Sequence, residues 1–159
     1  MRASLSSIDK NKLISCENPT TPYITRSNSN NGVSMFVGKG QNTKYKIDRG
    51  NVITIGLDTQ TVFYQSHSFY AGQNIQVLYN EHLNKLIAEF LIPLLKLQVS
   101  KLSWGGNGAT LSRLKRMRLE LPVNDNGEPD YDFMEEYGRK MMVMKYIQYL
   151  NFLESSGGI

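Results

Sequence analysis

The sequence has a single cysteine, Cys16, so it carries no internal disulfide framework and suits a reducing compartment. Histidine is nearly as scarce. His67 and His82 stand fifteen residues apart with no ligand spacing between them, so no metal and no cofactor is expected. Long apolar runs are missing: the best candidate, residues 90–97, contains Pro93 and Lys96 and falls short of the ~20 residues that span a bilayer. No apolar stretch precedes Asp9 and Lys10, as a secretory signal would require. A cytoplasmic chain without membrane association is expected. Phosphate-cradling turns are absent too, because Gly38-Lys39-Gly40 and Gly105-Gly106-Asn107-Gly108 match neither the dinucleotide fingerprint nor the P-loop. Asn18-Pro19-Thr20-Thr21-Pro22-Tyr23 departs from the Asn-Pro-Pro-Tyr loop of amino-methyltransferases by two threonines, and no glycine-rich cofactor turn follows a strand. His67 or His82 could act as a base, but Cys16 and the many serines offer no recognisable partner motif. Catalysis by this chain alone is not expected.

What is present is an ordinary globular composition with an uneven charge. The 159 residues, 40% hydrophobic and 20% charged, are enough for one average domain. The net charge of +4 hides a split: residues 1–120 carry 15 Lys/Arg against 7 Asp/Glu, and residues 121–159 carry 3 against 7. A basic body with an acidic tail points to an anionic partner for the body and a different task for the tail.

The first 22 residues are polar, with a weak helical hint near Ile8–Ile14. From there β-formers dominate. Tyr23–Arg26, Val33–Val37, Lys44–Ile47, Val52–Gly56, Thr61–Tyr64, Phe69–Tyr70 and Ile75–Tyr79 read as short strands, a number that suggests a curled, barrel-like sheet. Val52–Gly56 is nearly continuous in β-branched residues and reads as buried on both faces. Helical text begins near Asn84: Leu86, Ile87, Phe90, Leu91, Leu94 and Leu95 recur at spacings of three and four, kinked or bounded at Pro93. Thr110 suits the N-cap of a short helix over Leu111–Arg116, and Met117–Leu121 alternates as a strand up to Pro122. Asn124–Gly127 is a turn. Pro129 fits the first turn of a final helix whose start gathers Asp130, Asp132, Glu135 and Glu136. The expected fold is α+β: a twisted, partly closed, mainly antiparallel sheet, a short helical layer and a long projecting C-terminal helix. Residues 1–128 form one unit and 129–159 a spacer or dimerisation helix.

Candidate binding residues fall in three groups. Arg26, Ser27, Asn28, Asn30 and Asn31 offer the paired donors and acceptors that suit base edges, although asparagine is also common in loops merely because it makes turns. Lys39, Lys44 and Lys46 follow closely in sequence and suit phosphates. A second cluster runs through Lys101, Trp104, Asn107, Arg113, Lys115 and Arg116, in which Trp104 either stacks on a nucleotide or sits at the edge of the core. Gln60, Thr61 and Tyr64, after the strongest strand, form the third. On the last helix, Met134, Tyr137, Met141, Met144, Ile147, Leu150 and Leu153 make a wide apolar stripe, which either joins subunits or packs on the chain's own sheet.

The order of several segments resembles the target recognition domain of the DNA-specificity (S) subunit of type I restriction–modification systems, most of all the variety found in BcgI-like type IIB enzymes. The segments are Pro22–Gly32, Gly50–Ile55, Phe63-Tyr64, Phe69–Gly72, Leu83–Lys85, Leu102–Gly105, Leu111–Arg116 and Leu119–Tyr137. The resemblance implies a non-catalytic subunit that reads double-stranded DNA and positions partner methyltransferase and restriction subunits. A full subunit of this kind has two recognition domains separated by long helices, each reading half of a split target. This sequence carries one, so it is expected to be a half-subunit or a fragment, pairing as a homodimer or with a second recognition domain through its C-terminal helix. Relatives often read Tyr-Gly-Arg-Lys where this sequence has Trp104–Ala109, which leaves Lys101 or Arg113 to supply the basic contact. The family's opening helix–strand segment is short or missing before Tyr23. A rival reading from another class is a protein-interaction scaffold whose basic face is incidental, and a third is a nuclease or methyltransferase, which would need turnover by the isolated chain.

Overall fold

The computed structural model describes residues 1–102 and 109–156. Among the described residues seven strands and three α-helices follow one another: β1 (Arg2–Ala3), β2 (Thr21–Ile24), β3 (Val33–Val37), β4 (Val52–Gly56), β5 (Val62–Gln65), β6 (Tyr70–Ala71), β7 (Ile75–Leu78), α1 (Lys85–Val99), α2 (Leu111–Arg116) and α3 (Tyr131–Ser155). The strands form two sheets. One is antiparallel, in the order β1-β7-β4-β5; the other has the order β3-β2-β6, with β2 and β6 parallel. Among the described residues no barrel closes.

The β-branched run of β4 explains this layering. All five of its residues are buried, and alternate side chains face different layers. Ile53 and Ile55 join Ile87, Leu91, Leu95, Leu114 and Met134 in a core between sheet and helices. Val52 joins Ile24, Phe69, Ala71, Ile75 and Val77 on the other side. A strand covered on both faces has no use for polar alternation, which is why this stretch reads as continuous in the sequence.

The helices begin where short polar side chains can accept an orphan N–H. Asn84 Oδ1 accepts from the Ile87 amide at 2.9 Å, Thr110 Oγ1 from Arg113 at 3.2 Å and Asp130 Oδ1 from Phe133 at 2.9 Å. Pro93 lies inside α1, which continues to Val99. Pro129 does not open the last helix: it precedes the Asp130 cap and forms an isolated bridge with Val123 across the Asn124–Gly127 turn.

Two expected strands do not form. Residues 44–47 are irregular because Asn42 captures the backbone: its Oδ1 accepts from Lys44 N at 3.2 Å and its carbonyl from Tyr45 N at 2.8 Å. Ser6 Oγ then donates to Lys46 O at 2.9 Å and accepts from Lys46 N at 2.8 Å, occupying the groups a strand partner would need. Residues 117–121 also form no strand. Their alternation arises because Met117, Leu119 and Leu121 lie against the helical core while Arg118 and Glu120 face out.

The root of α3 is built into the body. Met134 is fully buried, and Gly138 lies against the backbone of α1 at Leu86. Asn84 Nδ2 donates to Glu135 Oε2 at 2.8 Å, and Asn80 Nδ2 to the Tyr131 hydroxyl at 3.0 Å. Beyond Gly138 no residue of α3 is buried, and at 25 residues in all the helix runs ~37 Å.

Candidate nucleic-acid interface

Three connections are tied to one another by side chains, the first of them running along β5 from the Asp58 turn to Gln65. The first, residues 25–32, leaves β2 and returns as β3. Asn30, Asn31 and Gly32 lie consecutively in the left-handed region, at φ 50°, 57° and 78°, where asparagine and glycine carry the least strain. The Gly32 amide donates to Ser29 O at 2.9 Å, and Thr25 N donates to Gly32 O at 2.9 Å. Buried Gln65 on β5 ties this loop down. Its Nε2 donates to Asn31 O at 2.9 Å, and Asn31 Nδ2 donates to Tyr64 O at 2.8 Å. The tip is therefore fixed while Asn28, Ser29, Asn30 and Asn31 stay exposed.

The second connection is the β4–β5 turn, and the third is the β6–β7 turn. Arg26 pairs through Nη1 with Asp58 Oδ2 on the second. Asn74 on the third donates through Nδ2 to the same Asp58 oxygen at 3.1 Å, and its carbonyl accepts from Leu57 N at 3.1 Å. Gln60 is half-buried and donates to Leu102 O at 2.6 Å, which brings the residues around exposed Lys101 to this turn. Thr61 is buried at 5% exposure, with its hydroxyl against Thr59, so it shapes the turn instead of contacting a ligand. Tyr64 is half-buried and donates its hydroxyl to Asn51 Oδ1 at 2.9 Å; burial pushes its pKa up, so it remains a donor.

Alongside this cluster runs one face of α1 that the sequence reading passed over. Lys85, Glu89, Ile92 and Lys96, spaced four, three and four apart, line a cleft of about 390 Å³ with Asn31, Phe63, Tyr64 and Ser66. The Lys96 ammonium stands 5.6 Å from the centre of the Phe63 ring. That spacing was visible, but the apolar stripe of the same helix masked it.

The remaining cations are not gathered here. Lys39, Lys44 and Lys46 are exposed but follow β3, whose far end pairs with Thr21. Five strand residues separate them from the asparagine tip, ~16 Å. Nearness in sequence was misleading because a strand carries the chain away from the loop it leaves. Lys115 and Arg116 are exposed and Arg113 half-buried on α2, whose Leu114 anchors it to the core. Trp104 and Asn107 lie outside the described residues.

On α3, Met134 belongs to the core and not to an outward stripe. Tyr137, Met141, Met144, Ile147 and Leu150 are exposed, and Leu153 is half-buried. Tyr146, Tyr149 and Phe152 are 58–62% exposed, so the apolar surface encircles much of the outer helix. Among the described residues no helix is long and apolar enough to cross a membrane, and no cluster of metal-binding side chains occurs.

A rigid α+β body that presents fixed polar loop tips beside cations has the construction of a recognition module. The sequence model of the family described as "Type I restriction modification DNA specificity domain" matches residues 5–150. The chain is 30% identical over 136 residues to the type II restriction enzyme specificity subunit S.BcgI of Heyndrickxia coagulans, covering 85% of this chain and 39% of that protein. Its fold is similar to that of a type I restriction–modification S subunit from M. genitalium, with a TM-score of 0.52 and 16% identity over 93% of this chain and 36% of that one. The chain belongs to the type I restriction–modification DNA specificity domain family and is a DNA specificity domain. It spans less than half the length of either relative.

Proposed function

We propose that this domain reads one half of a split duplex DNA target and, through α3, places that reading within a larger complex whose methyltransferase and nuclease subunits carry out the chemistry. The observation that carries this is the fixed loop cluster. Asn28 and Asn30 are exposed on a loop whose backbone Gln65 holds at Asn31, while Asp58 holds the side chain of Arg26, so little ordering entropy remains for DNA to overcome. Lys85, Lys96 and Lys101 border the cluster and suit phosphates on either side of a groove. Lys39, Lys44 and Lys46 would meet the same duplex about half a helical turn away.

In this reading residues 1–128 form the recognition unit and 129–159 the spacer. The outer part of α3, with Tyr137, Met141, Met144, Ile147 and Leu150 exposed, pairs with a second copy or a second recognition domain. The acidic charge of the tail keeps it off the DNA, which suits a spacer.

The test is selection of bound duplexes from a random pool, with the mass of the complex measured alongside. A recurrent half-site and a binding constant that falls steeply with salt are expected, by ~0.9 in log affinity per log salt for each phosphate neutralised. Assembly through α3 with no sequence selected at any salt would favour a scaffold instead.

A further inference from the structure

We propose that Asp58 is a positioning residue for sequence reading: it cancels the charge of Arg26 toward phosphates and holds the guanidinium so that its outward N–H groups meet a guanine edge. This rests on the duplex-reading proposal above. It deepens that proposal by assigning the reading chemistry to one buttressed side chain.

Three observations converge on the pair. Arg26 and Asp58 come from different connections, and their side chains are 38% and 33% exposed, so the pair stands at the surface where a ligand can reach it. Asp58 is itself fixed, since Asn74 donates to its Oδ2 at 3.1 Å from a backbone held at φ 60°. The stem of Arg26 lies across Gly56, where an added Cβ would stand 3.4 Å from Arg26 Cγ. A long, flexible cation is thus braced along its stem and at its head before any ligand arrives.

A guanidinium carries five N–H donors, more than one carboxylate can take, so the pair keeps donors for the paired N7 and O6 acceptors of guanine. Its net charge is near zero, so it releases few counterions from DNA, and a carboxylate beside a phosphate is repelled. An arginine held in this way favours base edges over the backbone. Lys85, Lys96 and Lys101, which pair with no carboxylate among the described residues, do the opposite.

The test compares the parent with Arg26→Ala, Asp58→Asn and the double variant. The two readouts are duplex selection and the salt dependence of binding to a random duplex. Arg26→Ala is expected to lose roughly tenfold or more of preference at one G·C position while leaving the salt slope unchanged. Asp58→Asn is expected to flatten the same position, to tighten binding to the random duplex and to steepen the slope by ~0.9, because the released arginine now finds a phosphate. In the double variant Asp58→Asn adds nothing at that position. Should Asp58→Asn melt early, Asn74→Ala loosens the same carboxylate and serves in its place. An Asp58→Asn variant that keeps full preference, or an Arg26→Ala variant with a shallower slope, overturns the positioning role while leaving duplex reading intact. A parent that selects no sequence overturns both.

Discussion

The crossing of α1 and α3 depends on the missing side chain of Gly138. A Cβ built there would stand 2.3 Å from the Leu86 carbonyl oxygen and 2.9 Å from its carbon. Both atoms are backbone within a helix, so no rotamer change relieves the overlap. In an exposed helix interior, Gly→Ala stabilises by about 0.5–1 kcal/mol through backbone entropy. Here overpacking opposes it, at the upper part of the ~1–3 kcal/mol range because α1 must move as a unit. The net expectation for Gly138→Ala is a loss of about 1–2 kcal/mol. For a chain of this size each kcal/mol shifts the melting temperature by ~2–4 °C, giving a fall of about 2–8 °C. The assay is thermal unfolding followed by circular dichroism at one fixed protein concentration, since association through α3 would make melting depend on concentration. A melting temperature that rises, as helix propensity alone demands, would refute the tight crossing.

Two further predictions concern the body of the fold. Asp48 is fully buried; burial raises its pKa from the ordinary 3.8, against the opposing pull of Arg2 at 2.7 Å and the Leu5 amide. The native state therefore keeps this proton to a higher pH than the unfolded chain. Its contribution to stability declines as pH climbs from the ordinary value through the raised native one, and is constant outside that window. Denaturation midpoints of the parent minus those of Asp48→Asn should fall across the window, and a difference that grows with pH contradicts the burial argument. Asn84→Ala removes the cap on Ile87 and the bond to Glu135, and should lower stability by about 1–2 kcal/mol in chemical denaturation. A loss below a few tenths would mean that neither bond contributes.

Where local chemistry decides, the sequence was sufficient. Val33–Val37 and Val52–Gly56 are strands as read, because short stretches of valine, isoleucine, threonine and phenylalanine bounded by asparagine or glycine leave little choice. The cap at Thr110 is equally local, since a cap needs only its own side chain and an amide three residues on. Local patterns misled where distant groups intervened. The alternation at Met117–Leu121 is the same for a paired strand and for a segment draped on helices, and Asn42 and Ser6 together take the hydrogen bonds that a strand at Lys44–Ile47 needed.

The binding site divides along the same line. Arg26 and the asparagines stood out because their chemistry is legible residue by residue. Asp58, Asn74 and Gln65 did not, because a buttress is defined by its partner: these residues lie 32, 48 and 34 positions from Arg26 or Asn31. The order of the motifs carries the resemblance to the family, and charge and periodicity carry the basic body and the long acid-capped helix, since these are properties of the chain read in order. Only folding could set Met134 inward, part Lys39–Lys46 from the asparagine tip and join Arg26, Asp58 and Asn74 from three different turns. Such facts are distances between residues far apart in the chain, fixed by how two sheets and three helices bury one another's apolar faces.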